Sequence, residues 1–216
     1  MPKGTKDNGN NGHAHATGIY DLKYKICVSG SAATEMCGAQ AIEKAEEIGR
    51  LIAQHNMILV TGATTGIPYW SAKGAKEAGG IVIGLSPAAS KAAHVKTYRL
   101  PVDYHDLIIY TGFDYAGRNL LLTRSADAII TICGRMGTLN EFTIGFEDKK
   151  PQGVLLGSGG MADMLQDILK TARRGTGSVV FESDPAELLD KVIKLIVAEE
   201  EGIKIDPARW RMPAEG

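Results

Sequence analysis

Cysteine is scarce in this chain, aromatic residues are few, and neither sign of charge is in excess. The cysteines are Cys27, Cys37 and Cys133. They form no C-x-x-C pair, so their spacing predicts reduced thiols rather than a disulfide frame or a zinc site. A formal net charge of −1 gives no electrostatic footprint for nucleic acid. No apolar run approaches the roughly 20 residues a membrane helix needs. The N-terminus lacks the charged and apolar regions of a secretion signal, which predicts a cytoplasmic protein with no membrane partner. Ser and His residues show no nucleophile elbow or triad spacing. His94, Asp103 and His105 match no common metal-ligand pattern, so no metal is expected.

What is present is enough for one domain. The 216 residues are 44% apolar and 23% charged, an ordinary balance for a globular chain with a sizeable core. Residues 1–22 are rich in Gly, Asn, Lys and His and read as a disordered tail. A Rossmann-like nucleotide-binding domain is expected over 23–200. Residues 201–216, with Trp210 between Arg209 and Arg211, read as a second tail.

Within the domain, apolar runs and helical periods alternate. Strands are predicted at 24–28, 57–60, 81–85, 106–110, 127–132, 153–156 and 178–181. Helices are predicted at 39–55, from Pro68 to about 78, 112–125, onward from 137 to about 149, 161–172 and 184–200. In the third helix Leu120, Leu121 and Leu122 are expected to pack inward. Residues 87–105 show no period and read as a long loop. The alternation predicts an α/β fold: a single three-layer domain, with a parallel sheet of about seven strands and helices on both faces.

Ligands of such sheets bind at the carboxyl ends of the strands, where strand order reverses. Glycine turns fall at that edge after three strands: Gly30-Ser31, then Gly62 to Gly66 with Thr64 and Thr65, then Gly134-Arg135-Met136-Gly137-Thr138. Such turns point backbone N–H groups and a helix dipole at one spot, where a phosphate can sit. They also serve strand–helix turns that need glycine for tightness alone. Arg135 adds a positive charge inside the last turn, and its bulk narrows the space. Thr138 and Glu141 form a Thr-x-x-Glu pair, which reads either as a capping box or as a carboxylate facing a ligand. Arg118 follows Asp114 by four residues and reads either as an exposed ion pair or as a phosphate-binding Arg.

These motifs together carry a resemblance. Thr61-Gly62-x-x-x-Gly66-Ile67, Lys73-Gly74-Ala75-x-x-Ala78-Gly79-Gly80, Arg118-Asn119, Ser125-Ala126-Asp127 and Gly134-x-x-Gly137-Thr138-Leu139-x-Glu141 resemble the LOG-like Rossmannoid family over about residues 24–198. That family includes hydrolases of nucleoside 5′-monophosphates and a branch similar to molybdenum cofactor carriers. The resemblance implies that Arg118 and Glu141 occupy the positions of the hydrolases' catalytic pair. Asn119 stands where those enzymes have Lys, Cys133 where they have Pro, and Arg135 where they have Gly, which favours the carrier-like branch. It therefore implies a nucleotide or a molybdopterin-type cofactor, phosphate-bearing in either case, as ligand. It further implies a homodimer or higher homo-oligomer, with the helices near Arg118 and Glu141 at the interface. The alternatives are a phosphoribohydrolase releasing free base and ribose 5-phosphate, and a non-catalytic interaction module.

Overall fold

The computed structural model describes residues 22–202. Nearly all of both tails, including Trp210, lies outside them. The strands are β1 (Lys25–Gly30), β2 (Ile58–Thr61), β3 (Ile81–Ser86), β4 (Leu107–Tyr110), β5 (Ala128–Ile132), β6 (Gln152–Leu155) and β7 (Val179–Glu182). The helices are α1 (Ala41–Gln54), α2 (Ile67–Glu77), α3 (Asp114–Ser125), α4 (Met136–Glu147), α5 (Leu165–Ala172) and α6 (Pro185–Gly202). Residues 93–97, inside the long loop, wind into a π-helical turn.

All seven strands lie parallel in the order β4-β3-β2-β1-β5-β6-β7. The chain runs outward from β1 to β4, then returns to place β5 on the other side of β1. Strand order therefore reverses between β1 and β5, and a crevice opens there at their carboxyl ends.

Alternation along β1 explains the two faces. Ile26 and Val28 point into a core shared with α1, α2 and α6, while Cys27 points into a second core under α3. A third apolar cluster holds α4 and α5 around Phe142 and Val154. β5 is buried along its whole length, as expected of a strand covered on both sides and apolar except at Thr131. Each of its isoleucines contributes roughly 1.5–3 kcal/mol by leaving water. α1 and α2 touch backbone to backbone. A Cβ on Gly49 would come within 1.9 Å of the Ser71 carbonyl oxygen, and one on Gly74 within 1.9 Å of that of Glu46.

The ends of β2 and β3 are pinned alike. Thr61 donates to His105 Nε2 at 2.9 Å, and His105 Nδ1–H donates to the Asp103 carbonyl at 2.7 Å. Ser86 donates to His94 Nδ1 at 2.8 Å, and His94 Nε2–H donates to the Pro101 carbonyl at 2.8 Å. The two histidines thus serve different hydroxyls. Among the described residues no group of three or more His, Cys, Asp or Glu side chains is placed to hold a metal ion. No described helix is long and apolar enough to cross a membrane.

Two expectations are corrected. Leu122 is buried, but Leu120 and Leu121 are 37% and 38% exposed. α3 turns Arg118, Asn119, Leu122 and Thr123 inward instead, because three consecutive residues cannot share one side of a helix of 3.6 residues per turn. Cys37 and Cys133 are joined as a disulfide, with Cα atoms 5.4 Å apart, and only Cys27 is a free thiol. The partners are 96 residues apart in sequence. Only the fold, which sets the β1–α1 loop against the end of β5, brings them together.

Candidate functional site

The β5–α4 turn is shaped by backbone. Cys133 and Gly134 have φ of +54° and +101°. A Cβ on Gly134 would come within 2.4 Å of the Thr138 side chain, so glycine is required by both φ and space. The helix begins at Met136 with Arg135 as its N-cap, and no side chain caps it. From Gly134 through Thr138 no backbone N–H donates to any protein group among the described residues. Arg135, Met136 and Gly137 are exposed, whereas Gly134 and Thr138 are buried. The turn is a row of unpaired donors at the positive end of a helix.

Thr138 and Glu141 make no capping box, because both lie inside α4. Glu141 instead enters the protein, 6% exposed, between β1 and α3. Ser29 donates to its Oε2, and Arg118 Nη1 stands 3.6 Å from its Oε1. With the Asn119 amide nitrogen turned toward Glu141, the orientation that satisfies it, it donates at 2.9 Å both to Oε1 and to the Tyr115 carbonyl. Burial pushes the Glu141 carboxyl above the usual range, against the opposing pulls of Arg118 and Ser29.

Arg118 makes no pair with Asp114, which accepts from the Tyr98 hydroxyl. Arg118 is 6% exposed, and its guanidinium lies on Gly62: a Cβ there would come within 1.8 Å of Nη1. Its Nε has no hydrogen-bond partner, and neither has the buried Ser31 hydroxyl. A separation of 3.6 Å from Glu141 is longer than a charge-assisted hydrogen bond. The guanidinium therefore keeps donors for something else.

The first two glycine turns fit against each other. The Ile67 N–H donates to the Ser31 carbonyl at 2.9 Å, and Thr65 Oγ1 donates to the Ala32 carbonyl at 3.0 Å. Thr64 Oγ1 donates to the Thr65 carbonyl at 3.3 Å. Cβ atoms on Gly30 and Gly66 would collide with Ile67 and with the Ser31 carbonyl respectively. These two glycines serve close packing, and Gly62 makes room for Arg118. The structure thus gathers Ser31, Gly62, Arg118, Asn119, Glu141 and the row from Gly134 to Thr138 around the β1/β5 crevice. It spends Gly30, Thr64, Thr65 and Gly66 on the turns themselves.

Ser29 was not a candidate from sequence, since it sits in no motif. The available signal was the alternation of β1, which puts a hydroxyl on the face of Cys27 at the strand's carboxyl end. A separate cleft of about 610 Å³ lies between α5 and β7, lined among others by Leu169, Lys170, Arg173 and Phe181. It contains none of the groups above.

Comparison with known proteins agrees with this placement of elements. An uncharacterized protein of Archaeoglobus fulgidus is 32% identical over 114 residues, 53% of this chain and 70% of the relative. The molybdenum cofactor binding protein from the phototrophic bacterium Rippkaea orientalis superposes with a TM-score of 0.66 at 29% identity, covering 82% of this chain and 98% of that one. The molybdenum cofactor carrier protein from Chlamydomonas reinhardtii gives 0.65 at 28% identity, covering 81% and 99%. The profile of one family spans residues 23–189, and the chain belongs to that family, the SLOG cluster4 family.

Proposed function

We propose that this protein binds a phosphate-bearing cofactor of the molybdopterin type and acts as its carrier, the cofactor being cargo rather than a resident group. The observation that carries the reading is the row of unpaired N–H groups from Gly134 to Thr138, with the buried Arg118 and its unpartnered Nε in the same crevice. A buried donor without a partner, as the Arg118 Nε is, costs roughly 1–3 kcal/mol, which an anion would recover. The row and Arg118 would hold the phosphate, and the unpartnered Ser31 hydroxyl would meet the rest of the ligand. A nucleotide offers the same phosphate chemistry. The similarity to proteins that bind or carry the molybdenum cofactor favours the cofactor.

Glu141 supports binding over hydrolysis. Both its oxygens are engaged, by Ser29 on one side and by Asn119 and Arg118 on the other. A carboxylate held in this way stabilises Arg118 more readily than it activates water. A second reading, cleavage of a nucleoside 5′-monophosphate, rests on the raised Glu141 carboxyl beside Arg118.

One experiment addresses both readings. Melting temperature is followed with inorganic phosphate and with AMP, for wild type and Gly137→Asp, while the AMP samples are assayed for free adenine. Gly137 has only the Asn119 amide near its missing Cβ, at 4.0 Å, so aspartate fits and places a negative charge at the row. The expected result is a rise in wild type, none in the variant, and no adenine. A rise that survives Gly137→Asp would sink this placement. Adenine from wild type would establish the hydrolase.

A further inference from the structure

The disulfide has no part in the binding site described above, yet it touches it. Cys133 immediately precedes the row of free N–H groups, and Cys37 lies in the β1–α1 loop, residues 31–40, which also carries the unpartnered Ser31 hydroxyl. The two halves are held differently. Cys133 is fully buried, and its backbone is anchored without the S–S bond. Its N–H donates to Ser158 Oγ at 2.8 Å, its carbonyl accepts from the Ala162 N–H at 2.9 Å, and the Gly134 carbonyl accepts from the Met161 N–H at 2.9 Å. Cys37 is half-buried, with Glu35 and Met36 exposed beside it. Besides the disulfide, its loop meets the β6–α5 connection through the Gly38 N–H, which donates to the Ser158 carbonyl at 2.8 Å, and through a bridge between Cys37 and Gly159. The loop's other end is fixed to the β2–α2 turn through the Ser31 and Ala32 carbonyls, so cutting the S–S bond would leave the Cys37 end held by these two backbone contacts alone, and leave the β5 end in place. Cys27 takes no part, because it is buried inside β1 and its thiol is pushed well above the usual range by loss of water.

We propose that Cys37–Cys133 is a thiol-exchange site, through which a dithiol reductant loosens the lip of the phosphate crevice. The consequence for binding rests on the carrier reading; the exchange chemistry does not. A thiolate of the reductant attacks Sγ of Cys37, the more accessible sulfur. A new S–S bond forms to Cys37 as the old one breaks, and Cys133 leaves as a thiolate and takes up a proton. The reductant's second thiolate then displaces Cys37 from the mixed disulfide. Two electrons and two protons pass to the cysteine pair, and the reductant is left as a disulfide. The loosened end of the loop must then be ordered when ligand binds, so affinity falls.

The test uses the full chain, as purified in air and after dithiothreitol. Thiols titrated in denaturant should number one before reduction and three after, from the one disulfide and the free Cys27. Hydrogen exchange over 31–40 should rise on reduction while that over 128–133 holds. Inorganic phosphate should bind roughly fivefold more weakly to the reduced form, the scale of ordering a side chain or two. Cys37→Ser should behave as reduced protein under both conditions. Three thiols before reduction, one thiol after it, or unchanged exchange over 31–40 would each overturn the site. Equal phosphate affinity in the two forms would overturn its control of binding. Phosphate that binds neither form, with exchange still rising on reduction, would strike the carrier reading and leave the exchange site standing.

Discussion

Glu141 shows how one side chain couples the fold to the site. It fills the space between β1 and α3, and its carboxyl titrates above the ordinary range because burial disfavours its charge. The folded state then holds that proton more tightly than the unfolded chain does. The stabilisation from this group is fully present below the unfolded value, near 4.5, and is lost as pH rises through the higher folded value. Glu141→Gln keeps the shape and removes the titration. Denaturant unfolding across pH 4 to 8 should show wild type losing stability relative to the variant as pH rises; parallel profiles would refute the assignment. The sequence exposed Glu141 and Arg118 through their motifs and left each with two readings. The packing removes one reading of each: helix α4 starts at Met136, too early for a Thr138 cap, and Asp114 is taken by Tyr98. Ser29, which holds the other carboxylate oxygen, was hidden because a single serine in an apolar strand has no signature beyond its register.

Elements were more legible than their contacts. Apolar runs and helical periods located every strand and α-helix to within about two residues except the start of α5, expected at 161 and found at Leu165, because local periodicity depends on which face is buried; the π-helical turn at 93–97 had no such period. The strand order and the crevice between β1 and β5 follow from right-handed crossovers and the return of the chain after β4. What periodicity obscured was rotation about the axis in α3, where three leucines run in succession. A buried Leu122 and half-exposed neighbours predict unequal costs on truncation. Leu122→Ala should lower unfolding free energy by about 2–5 kcal/mol, since it opens a cavity against Cys27, Val60 and Ile129. Leu120→Ala should cost less than about 1 kcal/mol. Equal losses in chemical denaturation would show that α3 is rotated from this position. The disulfide was unreadable for another reason: no local rule sees a pair that only tertiary structure brings together.

At the scale of the molecule, the face that carries the site also carries unburied apolar surface. Paired residues of a parallel sheet share a face, so Leu107 and Ile109 of β4, opposite Ile83 and Leu85, lie on the side of the sheet that α3 covers. They are 54% and 46% exposed, and Phe113, just before α3, is 65% exposed. β4 is also an edge strand, with backbone groups unpaired on one side. Exposed apolar side chains beside an unpaired edge are what a second copy would cover, and a twofold arrangement would make the surface self-complementary. We propose that two chains meet across α3 and β4, which sets Arg118 and Glu141 close to the interface without placing them in it. Light scattering on the eluting protein should give the mass of a dimer or larger assembly. Leu107→Lys with Phe113→Ser should give the mass of one chain, and phosphate should still raise its melting temperature, since neither residue touches the row from Gly134 to Thr138. A wild-type protein that elutes as one chain would remove the dimer. A monomeric variant that has lost the phosphate response would mean that the crevice is complete only when two chains are joined.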